Sequence, residues 1–183
     1  MNMFTCKFLD FPKIPKELVD TVVPGEVIRE YPGRTCTKNN IPFNTSSGIY
    51  YKVNNELTDW VKENISVDLD FVGIRYQFGS AETPSQGVHT DATRDYGILY
   101  VVDNASGHLE FWQKKGHEPE FDEYILINNY DELDSLETVA TPNGSWYLVN
   151  GRVLHSVENI LGKRITVQIN LKSLSGITIE NDI

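Results

Sequence analysis

Basic residues are scarce in this chain: 16 Lys and Arg stand against 26 Asp and Glu, a formal charge of −10 over 183 residues. A surface that holds a long nucleic-acid backbone needs clustered cations to meet the phosphates, so this deficit argues against that class of partner. A small anionic ligand stays compatible, because a few basic side chains in a pocket suffice locally. Cysteine is scarcer still. Cys6 and Cys36 are the whole supply, too few for a disulfide framework and not spaced as a metal or redox pair. Long apolar runs are missing as well: no stretch reaches the length of a membrane span, and residues 1–10 lack the apolar core of a signal peptide. The expected setting is therefore reducing and cytoplasmic. Internal repeats and low-complexity tracts are also absent.

What remains is an ordinary globular composition, 40% hydrophobic and 23% charged, in a length suited to one domain with its own core. The expected division is an N-terminal wrapping segment and helix (1–66), a core (67–173) and a C-terminal tail (174–183). Pro12, Pro15, Pro24, Pro32 and Pro42 punctuate the first part, so long regular elements are not expected there. A short helix fits residues 15–20, with Pro15 in the first turn. A longer one fits 54–65, where Leu57, Trp60, Val61 and Ile65 share a face. From residue 68 the period changes to two. Val72, Ile74, Tyr76 and Phe78 alternate along one strand, and residues 96–103, 108–112, 145–149, 153–157 and 164–171 read as further strands, with Asn150-Gly151 as a hairpin signal. In the last strand Ile165, Val167, Ile169 and Leu171 face one way and Arg164, Thr166, Gln168 and Asn170 the other. The small-residue loop 79–87 could serve as a lid, and the polar interval 113–136 reads as an insertion suited to substrate selection. Helix first and short strands after predicts a mainly β chain, an antiparallel sandwich or jelly roll flanked by N-terminal helices.

The chemistry concentrates in His89-Thr90-Asp91 and His155. Residues two apart on an extended segment project to the same side, so His89 and Asp91 can share one ion while Thr90 points away. With His155 they form a 2-His-1-carboxylate set, which suits ferrous iron in oxygenases because it leaves coordination positions open. A lone His-x-Asp arises often by chance, and a lone strand histidine is more often structural. Arg164, nine residues after His155, makes the combination far more specific. Arg164 and Thr166 on one face offer a guanidinium and a hydroxyl to a distal carboxylate, where the plain reading is a solvated polar edge. Tyr76 and Tyr100 are candidate inward-facing donors to the same ligand, or simply strand aromatics. His108 and His117 read as surface histidines. Arg94 and Arg152 could touch substrate or solvent, and Trp112 and Trp146 read as packing.

These residues resemble those of the Fe(II)- and 2-oxoglutarate-dependent dioxygenase superfamily. The likeness runs through Arg75-Tyr76, His89-Thr90-Asp91, residues 99–104 and 107–111, Pro142-Asn143-Gly144, His155-Ser156-Val157 and Gly162-Lys163-Arg164-Ile165-Thr166. In order and spacing it is most similar to the prolyl hydroxylase-like branch. The resemblance implies a double-stranded β-helix and Fe(II) on His89, Asp91 and His155. It also implies 2-oxoglutarate gripped by Arg164 and Thr166, and O2-dependent hydroxylation of a peptidyl residue or small molecule with release of succinate and CO2. Asn170 stands where the nucleic-acid demethylase branch carries a second arginine, which agrees with the acidic charge in disfavouring nucleobase repair. A non-catalytic metal-binding jelly-roll module and a metal-dependent hydrolase are the alternatives from other classes.

Overall fold

Two long alternating segments build the centre of the molecule, β6 (Leu69–Gly79) and β12 (Gly162–Leu171), paired antiparallel along nearly their whole length. The computed structural model describes residues 4–22, 25–53, 55–92, 94–117 and 124–171. On the far side of β12 lie β7 (Tyr96–Asp103), β10 (Trp146–Asn150) and the edge strand β1 (Cys6–Leu9). Beyond β6 come β5 (Ser47–Lys52) and β2 (Val27–Tyr31). The large sheet thus has the order β1-β10-β7-β12-β6-β5-β2. A smaller sheet, β11-β8-β9, is formed by β11 (His155–Glu158), β8 (His108–Lys114) and β9 (Leu133–Ala140). A hairpin of β3 (Thr35–Lys38) and β4 (Ile41–Asn44) stands beside them. Two facing antiparallel sheets, between which the chain crosses repeatedly from β7 onward, make a jelly roll, the double-stranded β-helix expected from the sequence.

Each face of the large sheet has its own cover. Val72 and Ile74 of β6, Ile98 and Tyr100 of β7, Trp146 and Leu148 of β10, and Val167 and Ile169 of β12 pack with Leu57 and Val61 of the helix α2 (Asn55–Asn64) and with Ile65 just past its end. The short helix α1 (Lys16–Asp20), entered through Pro15, adds Leu18 and Val19 to the same cluster. The opposite face meets the small sheet: Leu99, Val101, Tyr147 and Val149 pack on Leu109, Phe111 and Val157. Toward β6 and β5 this inner face turns polar, with Arg75, Gln77, Arg164, Thr166 and Gln168 all buried. Burying such groups costs free energy unless they find partners, and they mark where the fold departs from simple packing.

Three expectations need correction. The N-terminal segment does not merely wrap the core, because β2 and β5 extend the large sheet. Its prolines are compatible with strands because they fall where no ladder hydrogen bond is required: Pro32 follows β2, and Pro42 lies in a hairpin paired on one side only. The 113–136 interval contains the first half of the polar, largely exposed edge strand β9, whose residues carry no apolar alternation to betray it. Asn150-Gly151 does not close a hairpin, since β10 and β11 belong to different sheets and the chain crosses between them there. The 174–183 tail and residues 118–123 of the insertion lie outside the described residues. No helix among the described residues is long and apolar enough to cross a membrane.

Candidate metal centre

His89 and His155 are brought together by their own backbones. His89 N–H donates to the His155 carbonyl at 3.0 Å and His155 N–H returns the bond at 2.9 Å, an isolated antiparallel bridge that leaves the ring centroids 4.6 Å apart. Asp91 N–H is tied to the Gly151 carbonyl at 2.7 Å. A Cβ at residue 151 would lie 2.7 Å from Asp91 Oδ2, so Gly151 is needed for the close approach of the metal-site loop. Thr90 points away as expected, buried and accepting from Ile125 N–H at 2.8 Å.

The ring orientations follow from hydrogen bonds. His89 Nδ1 lies 2.9 Å from the Gly87 carbonyl and His155 Nδ1 lies 2.8 Å from the Val153 carbonyl. A carbonyl oxygen can only accept, so both Nδ1 atoms carry the proton and both Nε2 lone pairs face inward. Each Nε2 is 3.9 Å from Asp91 Oδ1, and the candidate ligand atoms all lie within 4.8 Å of one another. Asp91 Oδ2 is taken by Arg94 Nε at 2.7 Å, and Arg94 also donates to Asn170 Oδ1 at 3.2 Å. That leaves Oδ1 as the free carboxylate oxygen. Outer partners of this kind fix ligand orientation in metal sites. A longer chain supports Gly87: its N–H donates to Ser85 Oγ at 2.9 Å, and Ser85 donates to Glu158 Oε1 at 2.8 Å.

Electrostatics prepare the triad for a cation. Burial, reinforced by His155, pulls His89 down to about 3, and burial also lowers His155. Burial alone would raise Asp91, but Arg94 and the two imidazoles hold it well below the usual carboxylate range. At neutral pH the set is two neutral imidazoles and one carboxylate. A stability consequence follows with a definite sign. Between the ordinary value of 6.5 and about 3, unfolded His89 binds a proton that folded His89 does not, so folding weakens as pH falls through that window. The thermal midpoint of the metal-free protein is expected to drop below about pH 6.5, and His89→Gln to flatten that slope. Equal slopes in the two proteins would contradict the assignment.

The other sequence candidates divide. Arg164 and Thr166 sit on the inner face of a central strand, 2% and 0% exposed, so the solvated-edge reading does not apply. Arg164 Nη1 donates to Gln77 Oε1 at 2.7 Å, while its Nε and Nη2 have no hydrogen-bond partner. Burial, with the like-charged Arg75 nearby, pulls Arg164 down to about 9. Tyr76 and Tyr100 are not inward-facing. Tyr76 lies against Tyr51 at 5.9 Å and under the Lys163 amine at 4.3 Å, and Tyr100 packs on Trp146 at 4.7 Å, all on the face covered by α2. The inward residues of β6 are instead Arg75 and Gln77. Arg152 pairs with Asp95 at 2.6 Å and His108 with Glu110 at 3.3 Å, both off the triad. Trp112 packs on Tyr130 and donates to Ser156 Oγ at 2.9 Å.

A cavity of about 310 Å³ opens onto His89 and Asp91. Sequence reasoning missed most of its wall: Arg29, Tyr31 and Tyr50 from β2 and β5, and Arg75 from β6. The one available signal was the polar odd-numbered face of β6, which reads equally well as a solvent face. Gln86 of the 79–87 loop and Tyr124 and Leu126 of the 113–136 interval also line it.

No protein-family model matches the chain, and no curated protein matches it in sequence. Among solved structures it is similar to an oxidoreductase of the 2OG-Fe(II) oxygenase family from Burkholderia pseudomallei, with 10% identity over 77% of this chain and 71% of that one, TM-score 0.40. It is similar to E. coli ycfD, with 13% identity over 94% of this chain and 51% of that one, TM-score 0.46. The capsular polysaccharide assembling protein CapF from Staphylococcus aureus matches at 17% identity over 76% of this chain and 30% of that one, TM-score 0.28. This chain therefore spans about half the length of the E. coli protein and under a third of the S. aureus one.

Proposed function

We propose that the chain is an Fe(II)- and 2-oxoglutarate-dependent dioxygenase that hydroxylates an unactivated C–H bond. The observation that supports this reading best is the coexistence, inside one jelly roll, of a three-ligand face with a buried arginine that has no anion. His89 Nε2, Asp91 Oδ1 and His155 Nε2 would hold the iron, and their chemistry fits a ferrous ion with positions left for further ligands. Arg164 has two unpartnered guanidinium nitrogens, with Thr166 beside it on the same face. That pair fits the far carboxylate of 2-oxoglutarate, which would supply the acceptors these donors lack. Arg164 stands directly behind the cavity wall, linked to it through Gln77. When bound, iron, 2-oxoglutarate and O2 supply the oxidising chemistry, with succinate and CO2 as by-products. The chain's own part is positional. The Nδ1 bonds to Gly87 and Val153 aim the imidazoles, Arg94 confines Asp91 to one free oxygen, and the cavity holds the substrate over the open side.

A purely structural ion has no use for an unpaired buried guanidinium, which ranks the non-catalytic module lower. A hydrolytic metal site would work without oxygen. The deciding measurement is absorption on anaerobic addition of Fe(II) and 2-oxoglutarate, followed by succinate formation on admitting O2. A metal-to-ligand charge-transfer band is expected, and its absence, with His89→Ala changing nothing, would sink the reading.

A further inference from the structure

Among the described residues, the buried side-chain atoms without a hydrogen-bond partner are Arg34 Nη1, Ser46 Oγ, Tyr50 OH, Arg75 Nε, and Nε and Nη2 of Arg164. Each of them is an N–H or O–H donor. Arg34, Ser46, Tyr50 and Arg75 line the cavity that reaches His89 and Asp91, and Arg164 stands behind its wall. Unmet donors of one kind around one cavity call for a ligand rich in acceptors, because an unmet buried donor is costly. Arg34 already donates to the carbonyls of Val88 and Ile127 at 2.6 and 3.1 Å, which gives it a structural task. Arg164 is accounted for by the cosubstrate. Ser46, Tyr50 and Arg75 are not accounted for, and of these Tyr50 and Arg75 are neighbours.

These two residues are register partners on β5 and β6, so they lie side by side on the inner face. They are 5% and 8% exposed. Tyr50 reaches its place across Gly73, where a Cβ would come within 2.3 Å of the Tyr50 ring. The guanidinium of Arg75 lies 4.3 Å from the centre of the Tyr31 ring. The terminal nitrogens of Arg75 lie 2.8 and 3.1 Å from the neutral side-chain amide of Gln86, and no carboxylate among the described residues is hydrogen-bonded to its charge. Arg29 lies 5.1 Å from the same Tyr31 ring and 5.9 Å from that of Tyr124. Cations therefore run along the cavity wall with Tyr31 between them, in a protein whose net charge is −10. Among the described residues, the acidic lining residues are Asp91 and Glu30, and Asp91 is already committed to Arg94. Such local concentration of one sign attracts the opposite sign to the cavity.

Resting on the oxygenase reading, we infer that Arg75 and Tyr50 form a subsite for the anionic oxygen group, carboxylate or phosphoryl, of a small-molecule prime substrate, separate from the cosubstrate site at Arg164. The volume, about 310 Å³, is at the small end for ligand pockets. Tyr31 and Tyr124 wall it. A peptide would need an open groove in its place.

The probe is inorganic phosphate, titrated calorimetrically into the anaerobic protein carrying Fe(II) and 2-oxoglutarate. Binding of one phosphate per chain is expected. Tyr50→Phe, which removes a single oxygen and spares the packing, is expected to weaken it about tenfold, the effect of one charge-assisted hydrogen bond. Arg75→Gln is expected to remove it. The charge-transfer band of the Tyr50→Phe protein should persist. Absence of phosphate binding, or binding unchanged in both variants as direct capture by the metal would give, overturns the inference. So does phosphate that displaces 2-oxoglutarate and abolishes the band, or succinate formation stimulated by peptides and not by small carboxylates or phosphate esters. If the wild type shows no band yet binds phosphate with the same dependence on Tyr50 and Arg75, the oxygenase reading fails while the anion subsite stands.

Discussion

Replacing His155 by alanine is expected to abolish the Fe(II)/2-oxoglutarate charge-transfer band and all O2-dependent succinate formation. His155 is buried, its Nδ1 is tied to the Val153 carbonyl, and its Nε2 is one of three inward ligand atoms. Two remaining ligands do not make the three-ligand face that such iron sites use. The backbone bridge to His89 does not depend on the side chain, so the strands should stay paired. Loss of the buried ring beside Phe111, 6.1 Å away, should cost about 1–3 kcal/mol of stability, which circular dichroism would report separately from metal loss. His108→Ala is the matched control. That residue faces Glu110 away from the triad and should leave the band intact. A His155→Ala protein that kept the band would remove this residue from the ligand set.

Arg164→Met is expected to move two quantities in opposite directions. In the ligand-free protein the guanidinium is buried with one neutral acceptor and two unmet nitrogens. An apolar chain of similar length removes that burden, and a gain of about 1–4 kcal/mol is the scale seen when buried charges are replaced by well-packed apolar groups. Affinity for 2-oxoglutarate should fall by about 2–5 kcal/mol, roughly 30-fold to several thousandfold, as when one partner of a buried charged pair is removed. The pH dependence has a fixed sign. The folded value of about 9 lies below the ordinary 12.5, so the penalty of burying the cation is complete at neutral pH and fades as pH rises through that interval. The stability gain of the methionine variant should accordingly be flat across neutral pH and shrink above about 9. A variant that is less stable and binds 2-oxoglutarate normally would make Arg164 a structural residue.

The contrast between the candidates shows what a strand pattern can and cannot report. His89 and Asp91 were legible because their relation is local: two residues apart on extended backbone is the same side, whatever the rest of the chain does. Arg164 and Thr166 were legible for the same reason, with apolar Ile165 and Val167 marking the other face. Tyr76 and Tyr100 failed because both faces of the large sheet are buried, one by α2 and one by the small sheet. Alternation then gives the period and not which phase looks toward the metal. Arg75 and Gln77 hold the inward phase of β6, and their polarity made that phase look like solvent. Asn150-Gly151 carried a genuine glycine signal with a different cause, the close approach of Asp91 in place of a hairpin turn.

The chain by itself determined its mainly β character, the positions of most strands in the second half and the candidate metal-ligand triad, all properties set by composition or by neighbours within a few residues. Only the tertiary structure decided which face of β6 meets the cavity, that Arg94 occupies one oxygen of Asp91, and that β2 and β5 bring Arg29, Tyr31 and Tyr50 to the same wall. Those facts depend on pairing and packing between segments far apart in sequence, where the free energy of burying one face over the other is summed across the whole sheet and no short stretch contains it.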